Sequence, residues 1–227
     1  MFKSSLFFAA ALCLTALSCK KDESEELPSA PESYMNVEAG SSRSYSFQEN
    51  NPPTPPVNYT LIPAGRDTTV NGKTYKIFIN SNGTFEYYNQ TGNNYYTLMV
   101  APLGLSEELF ENLYLKTDQP VNSSWDNTFS LDAGLPFPIS IVLNNKIVEK
   151  NVSRTINGNT YNNVIHVKSS ISASIGPLPV TGLSSEINNY YAPKYGMVES
   201  SNIVGIDFNG LQDSTNNITK LVSATFP

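Results

Sequence analysis

The chain has 227 residues and a formal net charge of −6, with 14 Lys and Arg against 20 Asp and Glu. This length suits one β-rich domain or two small ones. Because binding to a phosphate backbone depends on Lys and Arg, so acidic a chain excludes DNA and RNA as partners. Only 15% of the residues are charged, and the many Tyr, Thr, Ser and Asn residues favour strands and turns over helices.

Residues 1–18 have the pattern of a secretory signal peptide. Lys3 supplies the positive start, and the apolar run over residues 6–17 is shorter than the roughly 20 residues that span a bilayer. The run leads through Ser18 into Cys19, an end that resembles the lipobox of bacterial lipoproteins. The resemblance implies that Cys19 carries fatty acyl groups such as palmitate, and that this lipid attaches the protein to a membrane. An ordinary signal peptide with an incidental cysteine is the alternative.

The residues after Cys19, Lys20-Lys21-Asp22-Glu23, resemble an export signal of one group of Gram-negative bacteria. There, a Lys followed by acidic residues marks lipoproteins carried to the outer face of the outer membrane. The resemblance implies a lipid-anchored protein of the outer membrane, exposed at the cell surface. A solvated tether is the alternative, and residues 19–33 are predicted to form such a tether because they are acidic and contain two prolines.

The folded domain is predicted over residues 34–227. The segment 34–47 contains two strand-like pieces around Gly40. The proline-rich segment 50–56 predicts a surface loop, and a linker between modules is the alternative. Alternation from Tyr75, an Asn82-Gly83 turn and a second turn at 89–93 then predict a three-strand meander ending near Val100. Ser106 to Leu113 predicts a helix of one or two turns, with Ser106 as its cap.

In the second half, apolar and polar residues alternate more regularly, and this period of two indicates a sheet with one solvent-exposed face. Further strands are predicted over residues 187–192, 197–208 and 218–226. The side chains predicted to face the core are Ile139, Ile141, Leu143, Ile147, Ile165, Val167, Ile171, Ala173 and Ile175.

A short motif occurs twice: Thr69 to Tyr75 is echoed by Thr155 to Tyr161, and each copy has an Asn-Gly turn. Each copy is followed by a Tyr-Tyr pair, Tyr95-Tyr96 or Tyr190-Tyr191. Chance similarity of hairpins is one explanation. The other is two related meanders, over about 34–130 and 131–227, in one continuous sheet or in two packed halves.

The opening from Tyr34 to Gly40, the central Asn-Gly-x-Thr-Tyr hairpin and the closing element from Tyr190 to Val198 together resemble a set of β-rich lipoproteins. The chain departs from their pattern at Arg43, where an aromatic residue is expected. The resemblance implies a curved antiparallel sheet akin to the half-barrels of lipoprotein carriers. The predicted fold is therefore mostly β, a curved antiparallel sheet, half-barrel or sandwich with at most one short helix.

Catalytic and metal chemistry have little support in the sequence. Cys13 lies within the signal peptide and Cys19 is the predicted lipid site, so no thiol is left for a disulfide or a metal. His166, the single histidine, lies on the polar face of a strand without an acidic neighbour in sequence. The scattered carboxylates signal no catalytic pair. We therefore expect a protein that is not an enzyme and holds no metal or cofactor.

Aromatic side chains are the best candidates for a binding surface because they stack on sugars and bury apolar groups. One ring of each Tyr-Tyr pair is expected to face the core. The first functional hypothesis is a surface module that binds a glycan or a protein. The alternative is a periplasm-facing carrier that holds a lipid or acyl chain in a half-barrel. The predicted ligand-binding residues are Trp125, Tyr95, Tyr96, Tyr190 and Tyr191.

Overall fold

The computed structural model describes residues 32–100, 108–132, 136–208 and 211–227, without the side chains of residues 208 and 211. Within these ranges the chain forms strands and no helix, so none of the described segments is a helix that could cross a membrane. The strands are β1 (Ser42–Glu49), β2 (Val57–Val70), β3 (Lys73–Asn80), β4 (Phe85–Thr91), β5 (Asn94–Val100), β6 (Leu109–Lys116), β7 (Ser124–Leu131), β8 (Ile139–Ile156), β9 (Asn159–Ile175), β10 (Leu178–Pro179), β11 (Leu183–Ala192), β12 (Gly196–Phe208) and β13 (Leu211–Thr225).

All the pairings are antiparallel and belong to one sheet. Its order is β6-β5-β4-β3-β2-β1-β13-β12-β11-β9-β8-β7, and β10 is a short addition to β9. The β1–β13 pairing joins the early strands to the late ones, so both Asn-Gly hairpins lie in the same sheet. The predicted curved antiparallel sheet is confirmed.

The two ends of the strand order, β6 and β7, meet through side chains. The Asn127 side-chain amide accepts from Leu113 N at 3.0 Å and donates to Leu113 O at 3.2 Å, as a neighbouring strand would. Trp125 Nε1 donates to the same carbonyl at 2.7 Å. These bonds, the closing contact, satisfy edge groups that a free strand would expose, and they bring the sheet to near closure.

The interior of the curve holds the core. Ile141, Leu143, Ile147, Ile165, Val167 and Ile171 are all buried, which confirms their predicted direction. Their polar neighbours Lys146, Lys168 and Ser170 are not buried, so the other face of these strands is wet as predicted. The period-two pattern therefore identified the inner face of β8 and β9 correctly.

The repeated Asn-Gly turns are tight hairpin turns with both central residues at positive φ. Asn71 and Gly72 have φ values of 50° and 76°, and Asn157 and Gly158 have values of 50° and 81°. This geometry matches a type I′ turn, which favours Asn followed by Gly because other residues are strained there. The turns connect β2 to β3 and β8 to β9, as the sequence predicts.

Each Tyr-Tyr pair coincides with a register shift, between Tyr95 and Tyr96 on β5 and between Tyr190 and Tyr191 on β11. A bulge of this kind twists the strand locally and redirects side chains. The two copies therefore share a hairpin and a bulge, although descent from one ancestral meander stays a prediction.

The helix predicted from Ser106 to Leu113 is wrong where the structure describes it. Leu109 begins β6, which pairs with β5 from Val100 onward, and residues 106 and 107 lie outside the described ranges. Cross-strand pairing with a neighbouring strand overrides a helical pattern of so few residues, since a one-turn helix has little stability of its own. The predicted first strand piece, before Gly40, is also absent: residues 33–37 form bends and irregular structure.

Arg43, the departure noted in the sequence, is a buried cation on β1 with an exposed fraction of 1%. Its Nε donates to Tyr195 O at 2.8 Å and its Nη2 to Asn36 O at 2.5 Å. The guanidinium lies against the rings of Phe78 and Phe226, 5.6 and 5.7 Å from their centroids. An arginine therefore fills an aromatic-lined position and links β1 to two irregular segments.

Candidate ligand-binding cavity

A cavity of about 630 Å³ lies on the core side of the sheet, and we call it the outer cavity. Its lining comes from β5, β6, β8, β9, β11, β12 and β13, so strands on both sides of the closing contact contribute to it. A volume of this size falls in the range that small-molecule sites occupy, about 300–1,000 Å³.

A continuous row of register partners crosses five of these strands and forms one wall. The row contains Asn145, Ser169, Ile187, Asn202 and Asn217, in that order from β8 to β13. Ser169 Oγ donates to Asn145 Oδ1 at 2.7 Å, and Asn202 Nδ2 donates to Asn217 Oδ1 at 2.9 Å. Side chains in register point to one face, so this polar row presents neutral amides and a hydroxyl to the cavity.

Apolar side chains complete the wall, and the lining is nearly free of charge. Among the described lining residues only Asp213 carries a charge, and its Oδ1 already accepts from Ser214 N at 2.8 Å. The chemistry of the cavity therefore suits a ligand that has both apolar and neutral hydrogen-bonding surface. The apolar lining residues are Met99, Leu143, Ile171, Ile187 and Val204.

The base of the cavity carries hydrogen-bonding groups that are free of protein partners. The Tyr114 and Tyr191 rings lie 5.2 Å apart between centroids, and the two residues are only 9% and 6% exposed. Burial raises the pKa of both phenols well above the ordinary value, so they are neutral at physiological pH. The two hydroxyls and the amide of half-buried Asn189 line the cavity without a hydrogen bond to the described residues, so they are open to solvent or to a ligand there.

No protein-family model matches the chain, and no curated protein matches it either. One solved structure is similar: a protein of Bacteroides fragilis with a YmcC-like fold, which is proposed to be exported. The two chains are 10% identical with a TM-score of 0.52, and the match covers 87% of this chain and all of the other. The chain shares that fold.

Two of the predicted ligand-binding residues lie in the core and are not among the residues that line the outer cavity. Trp125 is buried and takes part in the closing contact. The Tyr95 hydroxyl accepts from Tyr34 N at 3.1 Å, and the two rings meet edge to face. Both side chains have structural partners in the described residues, so their role as ligand contacts stays a prediction.

Of the Tyr-Tyr pairs, only Tyr191 lines the outer cavity. One ring of each pair is buried, as the sequence predicted, and the buried members are Tyr95 and Tyr191. Tyr96 has Lys73 Nζ 4.2 Å from its ring centroid. Tyr190 lies between His166, stacked at 4.1 Å, and Arg154, whose Cζ is 3.4 Å from the ring centroid. Tyr96 and Tyr190 thus lie in clusters of charged side chains outside the cavity.

Sequence reasoning missed the cavity residues with neutral polar side chains. Asn145 lies two residues from Leu143 and from Ile147, both buried, and its place on the inner face was therefore readable. Asn189 likewise lies two residues before Tyr191, which is buried. Tyr114 directly follows the stretch taken as helical. The signal was an amide in phase with the core residues of a strand.

The described residues hold no group of three or more His, Cys, Asp and Glu side chains that could bind a metal ion. His166 has Glu149 Oε2 at 3.3 Å and Asn188 Oδ1 at 2.9 Å, on the face opposite the core. Cys19 and the predicted export signal Lys20, Lys21, Asp22 and Glu23 lie outside the described ranges.

Proposed function

We propose that this protein is a non-catalytic binding protein whose outer cavity takes a neutral glycan. The observation that carries the proposal is the set of polar groups that line the base and are open to a ligand: the Tyr114 and Tyr191 hydroxyls and the Asn189 amide. Hydroxyls and amides both donate and accept, which matches the hydroxyl groups of a sugar. A concave site of about 630 Å³ favours a glycan over a folded protein as the ligand.

Ring stacking and the low charge of the lining add support. The apolar face of a sugar ring packs on aromatic and aliphatic side chains, and Tyr114 and Tyr191 provide such surfaces at the base. Asp213, the one charged lining residue among those described, is engaged with its own backbone neighbour. An anionic ligand would meet no cation among the described lining residues, which favours an uncharged sugar over an acidic one.

An acyl chain is the second candidate, as in the carrier hypothesis. Five apolar side chains line the outer cavity, and two of them, Leu143 and Ile171, are direct register partners on β8 and β9. A fluorescent fatty acid that binds more tightly than every neutral glycan would favour this candidate. We rank it second because a chain without hydroxyls would leave the Asn189 amide unpaired.

We further propose that the protein is anchored by lipid on Cys19 and displayed at the surface of the outer membrane. The lipobox-like sequence and the likeness in fold to a protein proposed to be exported support this location. We expect Cys19→Ala to abolish incorporation of labelled palmitate.

Changing Lys20, Lys21, Asp22 and Glu23 together to Ala should protect the protein from protease added to intact cells, and continued cleavage would argue against the export signal.

Binding of the purified protein to an array of neutral glycans tests the proposed ligand class. We expect Val204→Trp to weaken binding by about tenfold or more, because the added ring occupies space that the ligand needs. A tenfold weakening corresponds to a loss of about 1.4 kcal/mol of binding free energy. Ile203→Trp is the matched control, since Ile203 is 50% exposed on the opposite face of the same strand. Equal binding by both variants would place the glycan elsewhere, and no binding by the wild type would refute the glycan class.

A further inference from the structure

A second cavity, of about 210 Å³, adjoins the outer cavity, and we call it the inner chamber. The two share Asn112, Tyr114, Asn189 and Tyr191, which therefore form the partition between them. None of the described side chains that line the inner chamber carries a charge. The residues that line it alone are Met35, Tyr45, Leu61, Tyr88, Thr97 and Met197.

The polar atoms of the residues that line the inner chamber alone already have protein partners, unlike the Tyr114 and Tyr191 hydroxyls and the Asn189 amide. The Tyr45 hydroxyl donates to Met197 O at 3.0 Å, and the Tyr88 hydroxyl donates to Glu86 Oε2 at 2.6 Å. Thr97 Oγ1 donates to Leu98 O at 3.3 Å. What remains available to a ligand is ring, thioether and methyl surface, so the chamber fits a group without hydrogen-bonding atoms.

Two tyrosine rings make up much of the partition. Tyr114 and Tyr191 are tilted by 38° to each other, and each ring turns about two side-chain bonds. A rotation of both rings would join the chamber to the outer cavity. Their free hydroxyls would then lie at the junction, beside the polar groups of a ligand in the outer cavity.

We propose that the ligand is an amphiphile, a neutral glycoside whose alkyl chain passes between Tyr114 and Tyr191 into the inner chamber. This inference rests on the proposed function, since the sugar occupies the outer cavity. The Tyr114 and Tyr191 hydroxyls and the Asn189 amide bond the sugar at the junction, and Met35, Leu61 and Met197 pack against the chain.

Calorimetric titration with methyl, butyl, hexyl and octyl β-glucosides, kept below their micelle concentrations, tests the inference. Burying one methylene is worth about 0.8 kcal/mol, so the Kd is expected to fall about fourfold per methylene until the chamber is full. Equal affinity for the methyl and octyl members, or no binding by any member, would overturn the inference. The glycan array decides the proposed function separately.

Two matched variants locate the chain. Met197→Phe places a larger and stiffer side chain in the inner chamber and should reduce the gain in affinity with chain length. Met99→Phe narrows the outer cavity and should weaken every member alike. A gain in affinity with chain length that is as steep in Met197→Phe as in the wild type would overturn the assignment of the chain to the inner chamber. The wild-type series is decisive by itself if either variant does not fold.

Discussion

Replacing Trp125 with Ala is expected to lower the free energy of unfolding by about 3–5 kcal/mol, the usual cost of truncating a buried tryptophan. The ring is only 8% exposed, and its Nε1 donates to Leu113 O across the gap between β6 and β7. Since β6 and β7 are the ends of the strand order, the truncation removes part of the closing contact as well as core volume. Urea denaturation measures the change.

Two further variants separate ring volume from the hydrogen bond. Trp125→Phe keeps most of the ring and should cost about 1–2 kcal/mol, because Asn127 Nδ2 still donates to Leu113 O. Phe85→Ala removes a ring that is 45% exposed and should cost less than about 1 kcal/mol. A loss below 1 kcal/mol in Trp125→Ala would contradict a structural role for this residue.

Arg43→Ala is expected to lower the free energy of unfolding by about 3 kcal/mol or more. The change leaves the carbonyls of Tyr195 and Asn36 without their donor, and each buried group left unpaired costs about 1–3 kcal/mol of stability. It also opens a void beside Phe78. Thermal and urea unfolding of the purified variant measure the loss.

Arg43→Met distinguishes the two contributions because it restores volume without restoring the donor. The Arg43 Nη1 atom is buried without a partner in the described residues, so its removal also relieves a desolvation cost. We expect Met to recover about half of the stability lost in the Ala variant. A Met variant as unstable as the Ala variant would show that the hydrogen bonds, and not the packing, make Arg43 stabilising.

The hairpins were predictable because turn chemistry is local. Asn-Gly at 71–72 and at 157–158 supplies the two positive φ values that a tight hairpin needs, and the alternating residues beside it show which face is buried. The closure between β6 and β7 was not predictable. It depends on Asn127 reaching Leu113 across 14 positions, and nothing in the sequence around either residue indicates the other.

The candidate site was predicted only in part, for a related reason. Aromatic residues attract attention in a sequence, yet Trp125 and Tyr95 turned out to have structural partners, and only Tyr191 lies at the cavity. The polar row is assembled from strands far apart in sequence. Only the register shows that Asn145 and Asn217 share a wall, so the cavity emerges from topology and not from a motif.

Methyl NMR of the protein with and without the neutral glycan that binds best on the array tests the central claim most directly. We expect the methyl signals of Leu143, Ile171 and Val204 to shift, because these side chains line the outer cavity. The signals of Ile62 and Ile79, exposed partners on β2 and β3, should stay unchanged. Shifts confined to Ile62 and Ile79 would contradict binding in the cavity and place the ligand on the exposed face of the sheet.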